Sequence, residues 1–463
     1  MIRKNALCLA LVAGLSCLSA QASSAQASAN TANAEMDSAP VTETPLAGAM
    51  GAADFAISAK AAAPRLVSLG QPTSLDVSAL KDRRVRQDKN GEPLEIGYAR
   101  NVARGQVDLK TLNWLPLANG GSAARFEVSS AGAVALRAGL SLRGAGARSA
   151  LLHFAGNDGR VFEQSGADFA GNALGWSPVV AGDTATVEIV LPKGVSAKSL
   201  SLNIPQLSHL DVSPAASEKA LQKAIGDSDS CEKDIVCRVS PPSGFVSTAK
   251  SVARMTFTTG GGTYLCTGTL LNNNHSPKKR LFWTAAHCIS TQTVANSLQT
   301  YWFYDATTCN GSVVNPAYTT LSGGAYLRHA NTTRDTALLE LKTAPPSGAV
   351  YAGWSSSAIA STGTAIEGIH HPAGDVKKYS LGSVTGLSTS IDGKSPLYRV
   401  VWNTGVTEGG SSGSGLFTVT SSGGYQLRGG LYGGTSYCSA PRDPDYYSRF
   451  SDIYSSVSSY FNP

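Results

Sequence analysis

The chain has 463 residues, of which 42% are hydrophobic and only 15% charged, which excludes a protein that is disordered throughout. Its formal charge of +6, with no long basic run, gives no basis for nucleic-acid binding. The length allows two or three domains, and 48 glycines suit a turn-rich β-protein better than a helical one.

The N-terminus reads as a signal peptide. Arg3 and Lys4 form a positive region, Leu7 to Leu18 is apolar, and Ala20-Gln21-Ala22 is an A-x-A cleavage site. That apolar stretch is too short to span a bilayer comfortably, and no other segment could cross one. Cys17 would be the acceptor of a lipid anchor, but Gly14-Leu15-Ser16 before it makes a poor lipidation box. An exported protein with no membrane association is therefore expected. Residues 23–62 are rich in Ala, Ser and Thr and poor in aromatics, and read as a flexible leader.

Residues 63–210 alternate in polarity between Gly and Asn/Asp turns. Ala150–Phe154, Thr184–Leu191 and Leu200–Ile204 read as strands, and a small β-sandwich is the simplest architecture. Residues 212–230 read as a linker. From about residue 224 onward more short strands follow: Leu265–Leu271, Thr300–Tyr304, Thr336–Leu341, Tyr398–Trp402 and Gln426–Tyr432. Phe450, Ile453, Tyr454, Val457, Tyr460 and Phe461 then recur at helical spacing and predict a C-terminal amphipathic helix. The fold class is all-β, with two barrels and a terminal helix suiting the C-terminal region.

Cysteine usage divides the chain. Cys8 and Cys17 leave with the signal peptide. Cys231, Cys237, Cys266, Cys288, Cys309 and Cys438 remain, an even set lying wholly after residue 230 in an exported chain. Disulfides are expected, and their number alone allows fifteen pairings.

Three residues can carry chemistry together. His287 lies in Trp283-Thr284-Ala285-Ala286-His287-Cys288, Asp335 opens the apolar run Thr336–Leu341, and Ser412 lies in Gly409-Gly410-Ser411-Ser412-Gly413-Ser414-Gly415. A serine hydroxyl is a weak nucleophile at neutral pH. It needs an imidazole to take its proton and a carboxylate to hold that imidazole in the right tautomer. The amides of Gly410 and Ser412 would form an oxyanion hole, and a glycine at 410 permits the backbone that this requires. Singly, each residue has a duller meaning: a structural histidine, a capping aspartate, a loop serine. The three contexts in one order outweigh those readings. Gly409–Gly413 also fits a G-x-S-x-G nucleophile elbow with Ser411 as nucleophile, but that fold needs a histidine after the serine, and none follows His371. His370 and His371 have no third ligand at zinc spacing and read as structural, so no metal and no cofactor is implied.

The segments around His287 and Asp335 resemble those around the catalytic histidine and aspartate of the trypsin family. The whole region from about 224 to 463 is similar to the bacterial lysyl endopeptidases. That similarity is carried by Ser230–Cys237, Cys266–Asn273, Ile369-His370-His371-Pro372, Gly410–Gly415 and Gly429–Gly434. It implies a chymotrypsin-like double β-barrel and a secreted serine endopeptidase that cleaves after lysine. It implies disulfides Cys231–Cys438, Cys237–Cys309 and Cys266–Cys288. It also implies a propeptide, residues 23–223, that assists folding and blocks the site until removed. Protein and peptide substrates are the implied partners, with a monomer expected.

Trypsin places its specificity aspartate six residues before the nucleophile, where this chain has Val406. In the lysyl endopeptidases the aspartate follows the last cysteine, which points to Asp445, with Asp443 a nearby competitor. A compact pocket would favour lysine, a point charge, over the wider guanidinium of arginine. Glu408 lies near the pocket entrance without an assigned role. Ser411 replaces the aspartate against which trypsin-like zymogens bury a new N-terminal amine, so activation is expected to proceed differently. Tyr432 stands where a well-known lysyl endopeptidase has a histidine, and Leu431 replaces a serine that supports the aspartate in trypsin relatives. Lys219 and Lys223 precede Cys231, and cleavage after Lys223 would leave a mature chain beginning at Ala224, a cut that a lysine-specific protease could make itself. Two other readings are an inactive trypsin-like binding protein and an exported adhesion or carbohydrate-binding protein built on the sandwich.

Overall fold

The computed structural model describes residues 34–58, 63–74, 77–82, 92–171, 174–212, 228–311 and 313–463. The signal segment with Cys8 and Cys17, and the segment containing Lys219, Lys223 and Ala224, lie outside the described residues.

The N-terminal half is built on period-two strands. In Thr184–Leu191, Ala185, Val187, Ile189 and Leu191 turn to one side and are buried. This strand lies in a sheet ordered Val161–Ser165, Leu151–Ala155, Thr184–Leu191, Ser122–Ser130, Arg65–Leu69, the last pair parallel. A second sheet carries Ala135–Gly144, Leu200–Leu210 and Leu94–Asn101. Phe126, Val128 and Phe154 of the first sheet share one core with Leu136, Leu140, Leu142 and Leu207 of the second. Each such side chain stabilises the fold by about 1.5–3 kcal/mol relative to exposure.

This sandwich does not end at its own edge. Leu94–Asn101 pairs antiparallel with Gly262–Leu271 of the C-terminal half, in the register Thr263↔Gly97, Tyr264↔Glu95, Leu265↔Leu94. A free edge there would leave a row of unpaired backbone donors and acceptors on both strands, and the pairing covers both. Arg137 strengthens the junction. Its guanidinium is buried and donates to Ser177 O (2.7 Å), Thr258 Oγ1 (2.8 Å) and Ser297 O (2.7 Å).

Part of the expected flexible leader is instead an ordered strap. Glu35–Met36 pairs with Gly353–Ser355, and Ala39–Pro40 with Val350–Tyr351. Val41 and Ala49 enter the core formed by Met255, Phe282 and Trp302. The strap then crosses to the N-terminal half, where the amides of Ala56 and Ile57 donate to Glu188 and Ser58 O accepts from Arg125. Composition misled because such a segment needs no core of its own. A few apolar anchors and paired backbone groups hold it on a surface already folded.

The C-terminal half has two groups of strands, a first barrel and a second that closes through the pairing of Tyr425–Gly434 with Asp445–Tyr447. The first uses Val252–Thr259, Gly262–Leu271, Leu281–Thr284, Gln299–Trp302, Thr319–Leu321, Ala325–Asn331 and Thr336–Leu341. The second uses Ala365–His370, Lys378–Ile391, Lys394–Thr404, Gly415–Val419, Tyr425–Gly434 and Asp445–Tyr447. The terminal helix Tyr454–Phe461 buries Tyr454, Val457 and Phe461 in a cluster with Trp283, Trp354 and Phe450. Disulfides join Cys231 to Cys438, Cys237 to Cys309 and Cys266 to Cys288.

Candidate active site

His287 and Asp335 leave neighbouring strands. Leu281–Thr284 pairs with Thr336–Leu341, with Thr284 opposite Ala337, so the residues just beyond Thr284 and just before Thr336 meet at one end of the ladder. Asp335 is 1% exposed and has a left-handed backbone, φ +51°. That conformation turns its carboxylate under the histidine. Oδ1 accepts from the His287 amide at 2.8 Å and Oδ2 lies 2.7 Å from His287 Nδ1. A buried acceptor at Nδ1 favours the tautomer with its proton there, leaving Nε2 as a base. His287 Nε2 is itself buried and makes no hydrogen bond among the described residues. The Tyr432 ring meets the imidazole edge-on, 5.9 Å between centroids, and its hydroxyl donates to Asp392 Oδ2 at 3.3 Å. Burial, and then Asp392, push the Tyr432 phenol up to about 12.

Ser412 sits in a loop gripped from one side by Thr267. The Thr267 amide donates to Ser412 O (2.8 Å) and its hydroxyl to Gly410 O (2.9 Å). Cys266, the neighbour of Thr267, is disulfide-bonded to Cys288, the neighbour of His287. One covalent link thus ties the histidine turn to the strand that holds the serine loop. Gly410 has φ +93°. Gly413 has φ +80°, and a Cβ there would lie 2.2 Å from Thr284 Oγ1, so the loop excludes a side chain at that point. With their carbonyls held, the amides of Gly410 and Ser412 donate to no acceptor among the described residues.

Beside Ser412 lies a cavity lined by Thr407, Glu408, Gly409, Leu431, Gly433, Gly434, Ser436 and Tyr437. Asp445 lies behind two of these. Its Oδ2 accepts from Thr407 Oγ1 (2.8 Å), Ser436 Oγ (2.7 Å) and Trp402 Nε1 (2.6 Å), and its Oδ1 from the Ser436 amide (3.3 Å). Asp445 is 1% exposed, and burial raises its pKa despite these four donors. Gly434 permits this approach, since a Cβ there would lie 2.3 Å from Asp445 Oδ1. Asp443 is exposed in the preceding turn and Val406 is buried in an apolar cluster. Glu408 accepts from the Asp229 amide at 2.9 Å. Glu92, from the N-terminal half, closes one side of the same cavity.

The model of a family described as "Lysyl endopeptidase, C-terminal domain" matches residues 225–448, and that of "Lysyl endopeptidase N-terminal domain" matches residues 68–211. The lysyl endopeptidase of Pseudomonas aeruginosa (protease IV) is 48% identical over 385 residues, covering 81% of this chain and 83% of that one. The chain belongs to the lysyl endopeptidase family. It is a serine protease with an N-terminal propeptide-like domain. Among solved structures, the active form of the Rv3671c protease from M. tuberculosis matches at 17% identity, over 53% of this chain and 93% of that one, with TM-score 0.33. The thermostable serine protease AL20 from an extremophilic microorganism matches at 14% identity, over 46% and 96%, with TM-score 0.30.

Several residues that shape this lysyl endopeptidase's site carry no signal in the sequence. Thr267, Thr407, Ser436 and Trp402 are ordinary strand and loop residues until the fold brings them to the serine loop or to Asp445. Glu92 belongs to a half with no catalytic motif. Glu232 is buried with neither carboxyl oxygen hydrogen-bonded among the described residues, and burial raises its pKa well above the carboxylate range. The replacement of an aspartate by Ser411 was the one hint that something else must brace the loop.

Proposed function

We propose that the mature protein is a secreted endopeptidase that hydrolyses bonds on the carboxyl side of lysine, with Ser412 as nucleophile, His287 as base and Asp335 as its orienting acid. The observation that carries this reading is the two-bond grip of Asp335 on His287, beside a serine loop whose Gly410 and Ser412 amides are unpaired among the described residues. As Ser412 Oγ bonds to the substrate carbonyl carbon, its proton passes to His287 Nε2. The two amides stabilise the oxyanion, a contribution worth about 10²–10³ in rate for one donor. The imidazolium then gives the proton to the departing amine as the C–N bond breaks. Water, deprotonated by the same nitrogen, releases the acyl group and restores Ser412.

The lysine side chain would occupy the cavity beside Ser412, its ammonium against the Thr407 and Ser436 hydroxyls with the Asp445 charge behind them. The N-terminal half would act as folding aid and block. It supplies a strand to the first barrel, and its Glu92 borders the specificity cavity. Removal of that half by self-cleavage after Lys223 would leave a chain starting at Ala224.

Digestion of a defined peptide mixture by the processed enzyme tests the assignment. Cuts after lysine are expected, and none from Ser412→Ala. Cuts after arginine as often as after lysine would refute lysyl specificity, and no cuts would refute the enzyme reading. A purified Ser412→Ala precursor that still matured would refute self-processing.

A further inference from the structure

We propose that His370 is a positioning residue for the oxyanion loop, acting through the hydroxyl of Ser411. The inference rests on the reading of the Gly410 and Ser412 amides as oxyanion donors. Ser411, between those two amides, is fully buried, and its Oγ lies 2.8 Å from His370 Nδ1. On its other side His370 Nε2 lies 2.9 Å from Ser380 Oγ.

The neighbours fix the direction of every proton. Ser380 Oγ donates its hydrogen to Val406 O at 2.7 Å, so it accepts from His370 Nε2–H. Nδ1 of the neutral ring is then an acceptor, and Ser411 Oγ–H donates to it. The Ser411 oxygen in turn accepts from the Glu408 amide at 3.2 Å. A chain of four hydrogen bonds therefore runs from the Glu408 amide through Ser411, His370 and Ser380 to Val406 O, with no donor facing a donor. It works only with a neutral imidazole. Burial, and then the charge of Lys378, hold His370 down at about 3. Glu232, 3.9 Å from Nε2, is the carboxyl that faces it, and burial, followed by the charge of Glu408, raises its pKa well above the usual value.

The segment after His370 completes the brace. The His371 amide donates to Thr267 Oγ1 (3.2 Å), whose own proton goes to Gly410 O, and the Ala373 amide donates to Gly409 O (2.7 Å). Glu408, Gly409, Gly410 and Ser411 are thus each held from the 370–373 segment or through it, with no acidic residue at 411 and no amine needed to pair with one. The brace is present in the chain that still carries its N-terminal half. The loop that forms the oxyanion hole is therefore set before any cut is made.

The test compares processed wild type with Ser411→Ala, His370→Leu, His370→Gln and the Ser411→Ala/His370→Leu double variant. Each is assayed for kcat and KM on a lysyl amide, for inhibition by a peptidyl lysine aldehyde, and for competitive binding of n-butylamine, an alkylammonium that fills the side-chain pocket alone. Ser411→Ala should lower kcat ~10–100-fold and weaken the aldehyde by the same factor, while KM and butylamine binding stay within about twofold. His370→Leu should match it, the double variant should be no worse than either, and His370→Gln, which keeps one acceptor and one donor, should recover most of the loss. Unchanged kcat in Ser411→Ala, or losses that fall equally on butylamine binding, would overturn the proposal. Should His370→Leu not fold, Ser411→Ala, which removes one oxygen atom, decides alone. A wild type that cuts no lysyl bond would sink the parent reading. A wild type that cuts, with a normal Ser411→Ala, sinks only this one.

Discussion

The Glu188 cluster in the N-terminal half of this lysyl endopeptidase and the serine loop in its C-terminal half secure their buried polar groups by different means. The N-terminal half has no cysteine among residues 63–212 and centres on a titratable cluster. Arg125 lies 3.0 Å from Glu188, which is 2.7 Å from His153, which reaches Glu163 at 3.1 Å, and the same Glu188 holds the strap. The C-terminal half has three disulfides, and around the serine loop its bonds run between hydroxyls, amides and histidines held neutral by burial. The half proposed to be discarded is held by links that pH can loosen. The serine loop of the half that does the chemistry is held by neutral hydrogen bonds, although that half also carries buried ion pairs, such as Lys378 with Asp234 at 2.6 Å.

The largest expected effect that sharpens this contrast lies in the second half. Asp445→Asn removes the charge behind Thr407 and Ser436 while leaving a side chain of the same shape. The kcat/KM for lysyl substrates should fall about 10²–10³-fold, the scale of losing one member of a buried charge pair. In the wild type, because burial raises the Asp445 pKa, lysine selectivity should fade on acidification at a pH above the usual aspartate range. Selectivity unchanged in the asparagine variant would move the specificity charge elsewhere, with Glu408 the next candidate.

A smaller effect follows from the covalent clamp. Replacing Cys266 and Cys288 together by alanine should destabilise the mature enzyme by ~2–4 kcal/mol, read as a lower denaturant midpoint. Because Thr267 and His287 flank the bridge, kcat should fall with stability. An active enzyme of unaltered midpoint would show that the barrel needs no such link.

The smallest effect is the pH response of the strap. Burial opposes protonation of His153, but hydrogen bonds to Glu188 and Glu163 outweigh it and hold its pKa above 6.5. That contribution is complete below 6.5 and is lost as pH rises through the raised value. Burial pushes Glu188 up, but His153, the Ala56 and Ile57 amides and Arg125 outweigh it and hold it below 4.5. Its contribution is complete above 4.5 and is lost as pH falls through the lowered value. Amide protection factors in residues 34–58, with the intrinsic pH dependence of exchange divided out, should therefore be highest in mildly acidic solution and fall toward alkaline pH. His153→Gln should flatten the alkaline limb, and a limb left intact would remove His153 from the clamp.

What could be read from the chain itself follows the range of the interactions. The Thr336–Leu341 strand and the terminal helix show their periods locally. His287 and Asp335 are held by bonds that cross 48 positions, yet each sits in a local context distinctive enough to stand out. The strap did not stand out, because its partners lie about 300 positions away and its own residues are small and polar. Nor did the four donors around Asp445. Thr407, Ser436 and Trp402 are unremarkable neighbours in sequence, and only the pairing of Asp445–Tyr447 with Lys394–Thr404 and Tyr425–Gly434 brings them to one carboxylate. Ser411 was legible as a departure from trypsin's pattern, but its partner His370 was not, since a buried histidine between two serines has no motif.

The most direct measurement is kcat/KM of the processed enzyme on two peptides that differ only in lysine or arginine before the scissile bond, with Ser412→Ala alongside. The account predicts a preference for lysine of at least ~10² and a loss on the order of 10⁶ in kcat for the alanine variant. Equal rates on the two peptides, or turnover that survives the loss of the Ser412 hydroxyl, would contradict it.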